Sequence, residues 1–377
     1  MGGLESNCLC SNRSRSNRSR SNFSRSGHRF RLRDHAISAR ALAALLLTVL
    51  ALPAVRAQGE GEPGAHGWIE RMRKASSSLS HIGTFIHLEG TAVQSVRIVR
   101  RAGEQGFKER LFSLSGAARE VIRDGDQVVC IMSDTRMVWI AKHLPDIHRE
   151  GPLPIPGRRF DRPLIDDIEI SDIYELSKAP ALERIAGREG VVIDIVPKDR
   201  HRYGSRLVID RHTGLLLKSE LLSLDGASLE QLVYTHLDIP ESIPDIALRS
   251  EIPDRGGFTH HELIPPRDSA PSDPPTTIAD WSVEWVPEDF EMVSRSFDRI
   301  HPGKEPAEHR FFSDGLATFS VLIQEINEGG AASIPQRDSL GAINAFSRIE
   351  GPVRITVLGE VPAYTVKKVA LSVAPLP

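Results

Sequence analysis

Residues 202–226 read RYGSRLVIDRHTGLLLKSELLSLDG, and the fold turns on whether the aspartates, the histidine and the tyrosine in this span form a reactive site or a piece of scaffold. RLVID and LLLKSELL are strand-like runs flanking RHTG, and Gly214 supplies the positive φ that a tight hairpin requires. Asp210 and His212 then fall at the turn, where Asp commonly bonds the backbone. LSLDG closes the second run with another turn pair. The stretch predicts antiparallel hairpins, and the residues that look reactive are their punctuation.

The same period of two extends outward. IGTFIHL, VQSVRIVRR, KERLFSLSG, REVIRDGDQVVCIM and RMVWIAK follow one another from residue 82 to 142, and Asp124-Gly125 is a tight-hairpin signal. Before them, WIERMRKASSSL places Trp68, Met72, Ala75 and Leu79 on one helical face. The loop GPLPIPGRRFDRP, residues 151–163, leaves the sheet because proline lacks the ladder's donor, and a short helix is expected through LIDDIEISDIYEL. Strands resume with ALERIAGREGVVIDIVPKD, the opening stretch and SLEQLVYTHLDI. Residues 240–275 hold eight prolines and read as a linker that lets flanking domains reorient. Beyond it, WSVEWVPEDFEMVSRSF, HRFFSDGLATFSVLIQEI, GAINAFSR, VRITVLGEVP and AYTVKKVALSV predict a smaller, mostly β domain ending in a helix or strand. The division is 1–57 leader, 58–240 first domain, 241–275 linker and 276–377 second domain.

Residues 1–57 carry ten arginines against Glu5 and Asp34, a balance of +8, so the remainder of a chain whose net charge is −3 carries −11. The leader ends in a short apolar run, Ala41–Leu52, then Pro53 and the small residues Val55 and Ala57. A basic flank, an apolar run too short to span a bilayer comfortably and a V-x-A end predict a secretory signal peptide cleaved after Ala57, with an uncleaved N-terminal anchor as the competing reading. The Arg/Ser-rich residues before the run resemble a nucleic-acid arm, but they would leave with the signal, and the acidic remainder argues against nucleic acid. Of three cysteines only Cys130 would survive cleavage, so no internal disulfide is expected.

Catalytic and metal patterns are weak. GEGEPG at 59–64 follows the cleavage site instead of a strand and contains Pro63, so it does not build a dinucleotide turn. His260, His261 and Glu262 are adjacent, so their side chains diverge on an extended chain and read as solvated linker residues, not zinc ligands. Asp166, Asp167 and Glu169 suit the first turn of a helix better than an acid/base pair. No catalytic residue, metal or cofactor is assigned.

GTFIHLEG, SVRIVRR, KERLFSLSG, REVIRDGDQV, RYGSRLVIDRHTGLLLKSELL, FFSDGLATFSVLIQ, GAINAFSR and VLGEVPAYTVKKVA, in that order from about Trp68 to Val373, resemble the RseB/MucB family of periplasmic regulators of the sigma-E envelope-stress factor. The resemblance implies an α+β fold: an open antiparallel half-barrel with helices, similar to the carriers LolA and LolB, plus a smaller mostly β C-terminal domain. It implies a partner, the periplasmic segment of a membrane-spanning anti-sigma factor of the RseA/MucA kind, shielded from proteolysis until lipopolysaccharide or lipid releases it. A homo-oligomer is compatible with the sequence. The alternatives are a periplasmic lipid carrier, which would need only the first domain, and a hydrolase using Asp166 and Asp167.

A sheet that curves without closing leaves a groove suited to acyl chains. Strand alternation selects Phe85, Val96, Ile98, Trp139, Ile193, Ile195 and Leu207 as its lining, residues equally suited to packing the helices. Arg97, Arg100 and Arg101 are candidates for lipid phosphates, or an ordinary solvated face. In the second domain Phe311 and Phe312 are candidates for exposed partner anchors, although core placement is the better expectation for either one, with Phe319, Val321 and Ile323 on one face of a strand after the Asp314-Gly315 turn.

Overall fold

Alternation of apolar and polar residues is converted directly into strands. In β1 (His81–Glu89) every second residue from His81 to His87 is buried, and the pattern continues antiparallel through β2 (Ala92–Gly103), β3 (Gly106–Ser113), β4 (Arg119–Asp124), β5 (Gln127–Met132) and β6 (Met137–Ala141). A computed structural model describes residues 62–103, 106–125, 127–141, 170–252, 256–263, 281–298, 307–326 and 337–376. The leader, its cleavage point and the Asp166, Asp167 and Glu169 cluster lie outside these residues.

On the other side of β1 lie, in spatial order, β11 (Ser228–Asp238), β10 (Leu216–Leu222), β9 (Gly204–Asp210), β8 (Arg188–Pro197) and β7 (Tyr174–Ile185). The result is a twelve-stranded sheet whose end strands, β7 and β12 (Thr259–Leu263), do not pair with each other. It is an open sheet, as expected. The opening hairpin forms as predicted: Asp210 Oδ1 accepts the amides of His212 (2.9 Å) and Thr213 (2.7 Å), and Gly214 has φ +84°. Burial opposes ionisation of Asp210, but the hydrogen-bonded Arg188 guanidinium and those two amides outweigh it and hold the carboxyl below its ordinary range.

Helix α1 (Ala65–Ser78) buries Trp68, Met72 and Ala75 of the predicted stripe and adds Ile69, whereas Leu79 is its C-cap and is half-buried. The helix expected through residues 164–176 is, among the described residues, the single turn α2 (Ile170–Ile173); Tyr174 already begins β7. The β7–β8 hairpin turns on Ala186 and Gly187, both at positive φ.

The proline-rich segment is not a free tether along its described length. Ile243 and Leu248, flanking or within the 3₁₀ turn Asp245–Leu248, bury against Val99, while Ser250 donates to Glu120. Residues Thr259–Leu263 then add to β6 as a parallel strand. His260 and His261 therefore belong to a strand, and His261 stacks on Trp139 at 4.4 Å between ring centroids. Composition suggested solvent because prolines dominate; the few apolar residues between them are enough to dock the segment.

The second lobe is a six-stranded antiparallel sheet in the order β14 (Glu291–Asp298), β15 (Ala307–Ser313), β16 (Thr318–Glu325), β19 (Val353–Gly359), β18 (Ile343–Glu350), β17 (Arg337–Leu340). Helix α3 (Ala363–Ser372) covers it, and β20 (Val373–Pro375) pairs with β13 (Trp281–Val283), so the chain ends in both a helix and a strand. Phe319, Val321 and Ile323 share its core, as alternation predicted. No helix among the described residues is long and apolar enough to cross a membrane.

Candidate functional site

The seven apolar candidates divide between two cores of the first lobe. Ile193 and Ile195 on β8 and Leu207 on β9 pack beneath α1 with Trp68, Ile69, Met72 and Tyr174. Phe85 and Ile98, with Val96 and Trp139 partly buried beside them, join a second cluster that includes Leu111, Val121 and Cys130. Strand β9 is covered on both faces: Leu207 and Ile209 enter the first cluster and Val208 the second. Both groups are packed cores in this conformation. A cleft of about 440 Å³ at the open ends of β2, β3 and β4 is lined by Arg101, Phe107, Lys108, Asp124 and neighbouring glycines, and by none of the seven.

The arginines separate by strand alternation. Arg97 is exposed. Arg100 is not a solvated donor: it is 4% exposed, lies 3.1 Å from Glu109 and covers the Phe107 ring at 3.7 Å. Arg101 faces the opposite side, donating to Asp245 (2.6 Å) and to the Ile243 carbonyl (3.1 Å). A guanidinium engaged by a buried carboxylate is committed to the fold, so Arg100 is corrected to a structural role, whereas Arg101, in an exposed pair with Asp245, lines the cleft. Phe312 is likewise not exposed. It stacks on Phe319 at 4.9 Å inside the second core, whereas its neighbour Phe311 turns outward, half-buried, with its ring edge against His309.

The densest polar chemistry lies where the lobes meet, and sequence reasoning missed it. The β8–β9 loop projects Asp199, His201, Arg202 and Tyr203 onto the second lobe. Arg202, 2% exposed, donates from Nε to Asp314 Oδ2 (2.5 Å) and also to Asp199 and the Glu288 carbonyl, with its guanidinium 4.9 Å from the Phe290 ring centroid. Tyr174 donates its hydroxyl to the same Asp314 oxygen at 2.8 Å. The other oxygen, Oδ1, accepts the amides of Leu316 (2.8 Å) and Ala317 (2.6 Å) and so shapes the turn after β15. The carboxylate thus receives four hydrogen bonds with no exposed surface. Burial drives the Tyr174 hydroxyl well above its ordinary range, and the adjacent Asp314 charge adds to this, so it stays a donor. Beside it, Thr365 donates to the His201 carbonyl (3.1 Å), the His201 ring lies between Trp285 and Tyr364, and Asn344 donates to the Tyr203 hydroxyl (2.9 Å).

Both lobes correspond to known families. Residues 64–252 match the MucB/RseB N-terminal domain and residues 275–374 the MucB/RseB C-terminal domain. The chain belongs to the MucB/RseB family. It is 32% identical over 341 residues to the Sigma factor AlgU regulatory protein MucB of Pseudomonas aeruginosa, covering 89% of this chain and 97% of that protein. It is 25% identical over 325 residues to the Sigma-E factor regulatory protein RseB of Escherichia coli K12, covering 83% and 92%. In structure it matches MucB in the Pseudomonas aeruginosa MucA/MucB complex with a TM-score of 0.62 at 28% identity, covering 83% of this chain and 99% of that one. The MucB/RseB likeness therefore spans both lobes and the junction between them. No group of three or more metal-ligating side chains occurs among the described residues.

Proposed function

We propose that this chain is an exported, non-enzymatic regulator of a sigma-E-type envelope-stress response. Its signal peptide is cleaved after Ala57, it acts in the periplasm, and it holds the periplasmic segment of a membrane-spanning anti-sigma factor of the MucA/RseA kind, shielding that segment from the first regulatory protease. Lipopolysaccharide or a related lipid, taken up by the first lobe, weakens the hold. The observation that carries this reading is the extent of the match to MucB, whose solved complexes contain MucA or its periplasmic part. A lipid carrier would need only the first lobe, and the second lobe is here joined to the first through a buried polar network.

For lipid, the packed core beneath α1 is the favoured entry, since its lining is almost wholly apolar. Arg97 and Arg101 remain the candidates for a lipid phosphate. For the partner, Phe311 on β15 is the remaining aromatic-anchor candidate. Binding of residues 58–377 to the periplasmic segment of the anti-sigma factor from the same genome, with and without lipopolysaccharide, tests the reading. Tight binding that lipopolysaccharide weakens is expected; lipid binding with no affinity for the segment would replace it by the carrier.

A further inference from the structure

The core beneath α1 and the junction between the lobes share two side chains. Tyr174 packs with Trp68, Met72, Ile193, Ile195 and Leu207, while its hydroxyl reaches Asp314 in the other lobe. Leu316 comes from the other lobe, hangs from the turn that Asp314 Oδ1 organises, and buries itself in that same first-lobe cluster. Each lobe therefore places one residue where the apolar core and the ionic cluster meet.

We propose that the Asp314 turn is a latch that couples occupancy of the α1 core to the joining of the two lobes. Interiors are close-packed, so an acyl chain can enter between α1 and strands β8 and β9 only by displacing side chains. Tyr174 and Leu316 form the boundary of that core on the second-lobe side. Displacing them withdraws the Tyr174 hydroxyl from Asp314 and pulls on the backbone whose amides that carboxylate holds. A buried carboxylate and guanidinium do not tolerate partial loss of partners, because what remains is an uncompensated charge in a dry setting. The cluster is therefore either closed or opened to water, and when it opens, Arg202 releases Asp314 and the Glu288 carbonyl together. Linkage makes the effect reciprocal: whatever weakens the latch strengthens binding of the acyl chain by the same factor. The proposal rests on the functional reading only in taking a lipid as the wedge.

The test uses the mature chain with Cys130→Ser, Leu224→Cys and Leu371→Cys, spin-labelled at the two exposed positions, one in each lobe. A single-chain anionic phospholipid, lysophosphatidylglycerol, is titrated below its micelle concentration, with binding followed by calorimetry and the interlobe distance by electron–electron spectroscopy. Lipid is expected to shift the distance distribution of the parent chain. Tyr174→Phe, which removes only the hydroxyl, and Asp314→Asn, which leaves every apolar side chain of the α1 core in place, are expected to bind the lipid at least about fivefold more tightly. Tyr174→Phe alone carries the comparison if Asp314→Asn fails to fold by circular dichroism. Heat of binding with an unchanged distance and unchanged affinity in the variants would overturn the latch while leaving the lipid reading intact. No heat of binding in any variant would overturn the lipid reading and the coupling with it.

Discussion

Arg202 and Asp314 lie 112 residues apart in sequence and 2.5 Å apart in space, each essentially without solvent exposure. They are the ionic centre of the contact between the lobes, and the cost of breaking them follows from where they sit. Truncating one partner leaves the other charged and buried, which typically costs about 3–5 kcal/mol. Asp314→Ala is therefore expected to destabilise the chain by about that amount, a loss measurable by denaturant unfolding. Restoring more than two-thirds of it with Arg202→Met in the double mutant would show that the pair, as such, contributes little, and that the cost of the single change is the stranded charge.

His201 makes the same junction sensitive to pH. Burial pushes its pKa down, with Lys368 and Arg202 adding to that and Asp199 opposing it. The folded state then holds fewer protons than the unfolded state just below pH 6.5, so stability rises with pH through that window. Its contribution is complete above the ordinary histidine range and declines as pH falls toward the folded pKa. Melting temperatures between pH 5 and 7.5 are expected to fall on acidification in the parent chain and to flatten in that window for His201→Gln.

Gly190 faces a fixed neighbour. A Cβ added there would lie 2.3 Å from Val208 Cγ1 and 3.4 Å from Leu217 Cδ1, and Val208 is fully buried. Gly190→Ala is expected to cost about 1–3 kcal/mol through overpacking. Val208→Ala in the same chain removes the clash, so the double mutant should be less destabilised than the two single costs added together, as read from thermal or denaturant unfolding.

Cys130 is a core residue in chemical behaviour. It is 1% exposed, and burial raises its thiol pKa to about 11. Alkylation by iodoacetamide at pH 8 is expected to run at least about a hundredfold slower on the folded chain than on the chain in denaturant. Comparable rates would place the thiol at the surface.

What was legible in the sequence was local. Asp210, Gly214 and the runs on either side describe a hairpin within a span the chain closes on itself, and the Trp68–Met72–Ala75 stripe describes one face of one helix. Alternation also placed Phe319, Val321 and Ile323 correctly, because each strand's inner face is set by its own pleat. It failed at Arg100, where alternation alone does not say which face will be covered by another part of the chain, and for Phe311 and Phe312 it left the anchor and core readings side by side until the structure put Phe312 in the core. The Asp314-Gly315 turn was visible, but only one oxygen of Asp314 serves the turn. The other serves Tyr174, 140 residues earlier in the chain, and no periodicity carries that information.

The parallel pairing of Thr259–Leu263 with Met137–Ala141 bears on the order in which the molecule assembles. Every other pairing in the large sheet is antiparallel, whereas this strand returns from far along the chain to an edge laid down much earlier. Such a closure is entropically slow and cannot begin until β6 is in place. Until then β6 presents unpaired amides and carbonyls, a template for any extended chain nearby. The proline-rich segment thus caps β6 and moves the sheet's edge out to a five-residue strand, the short kind of edge that offers a neighbouring chain the least to pair with.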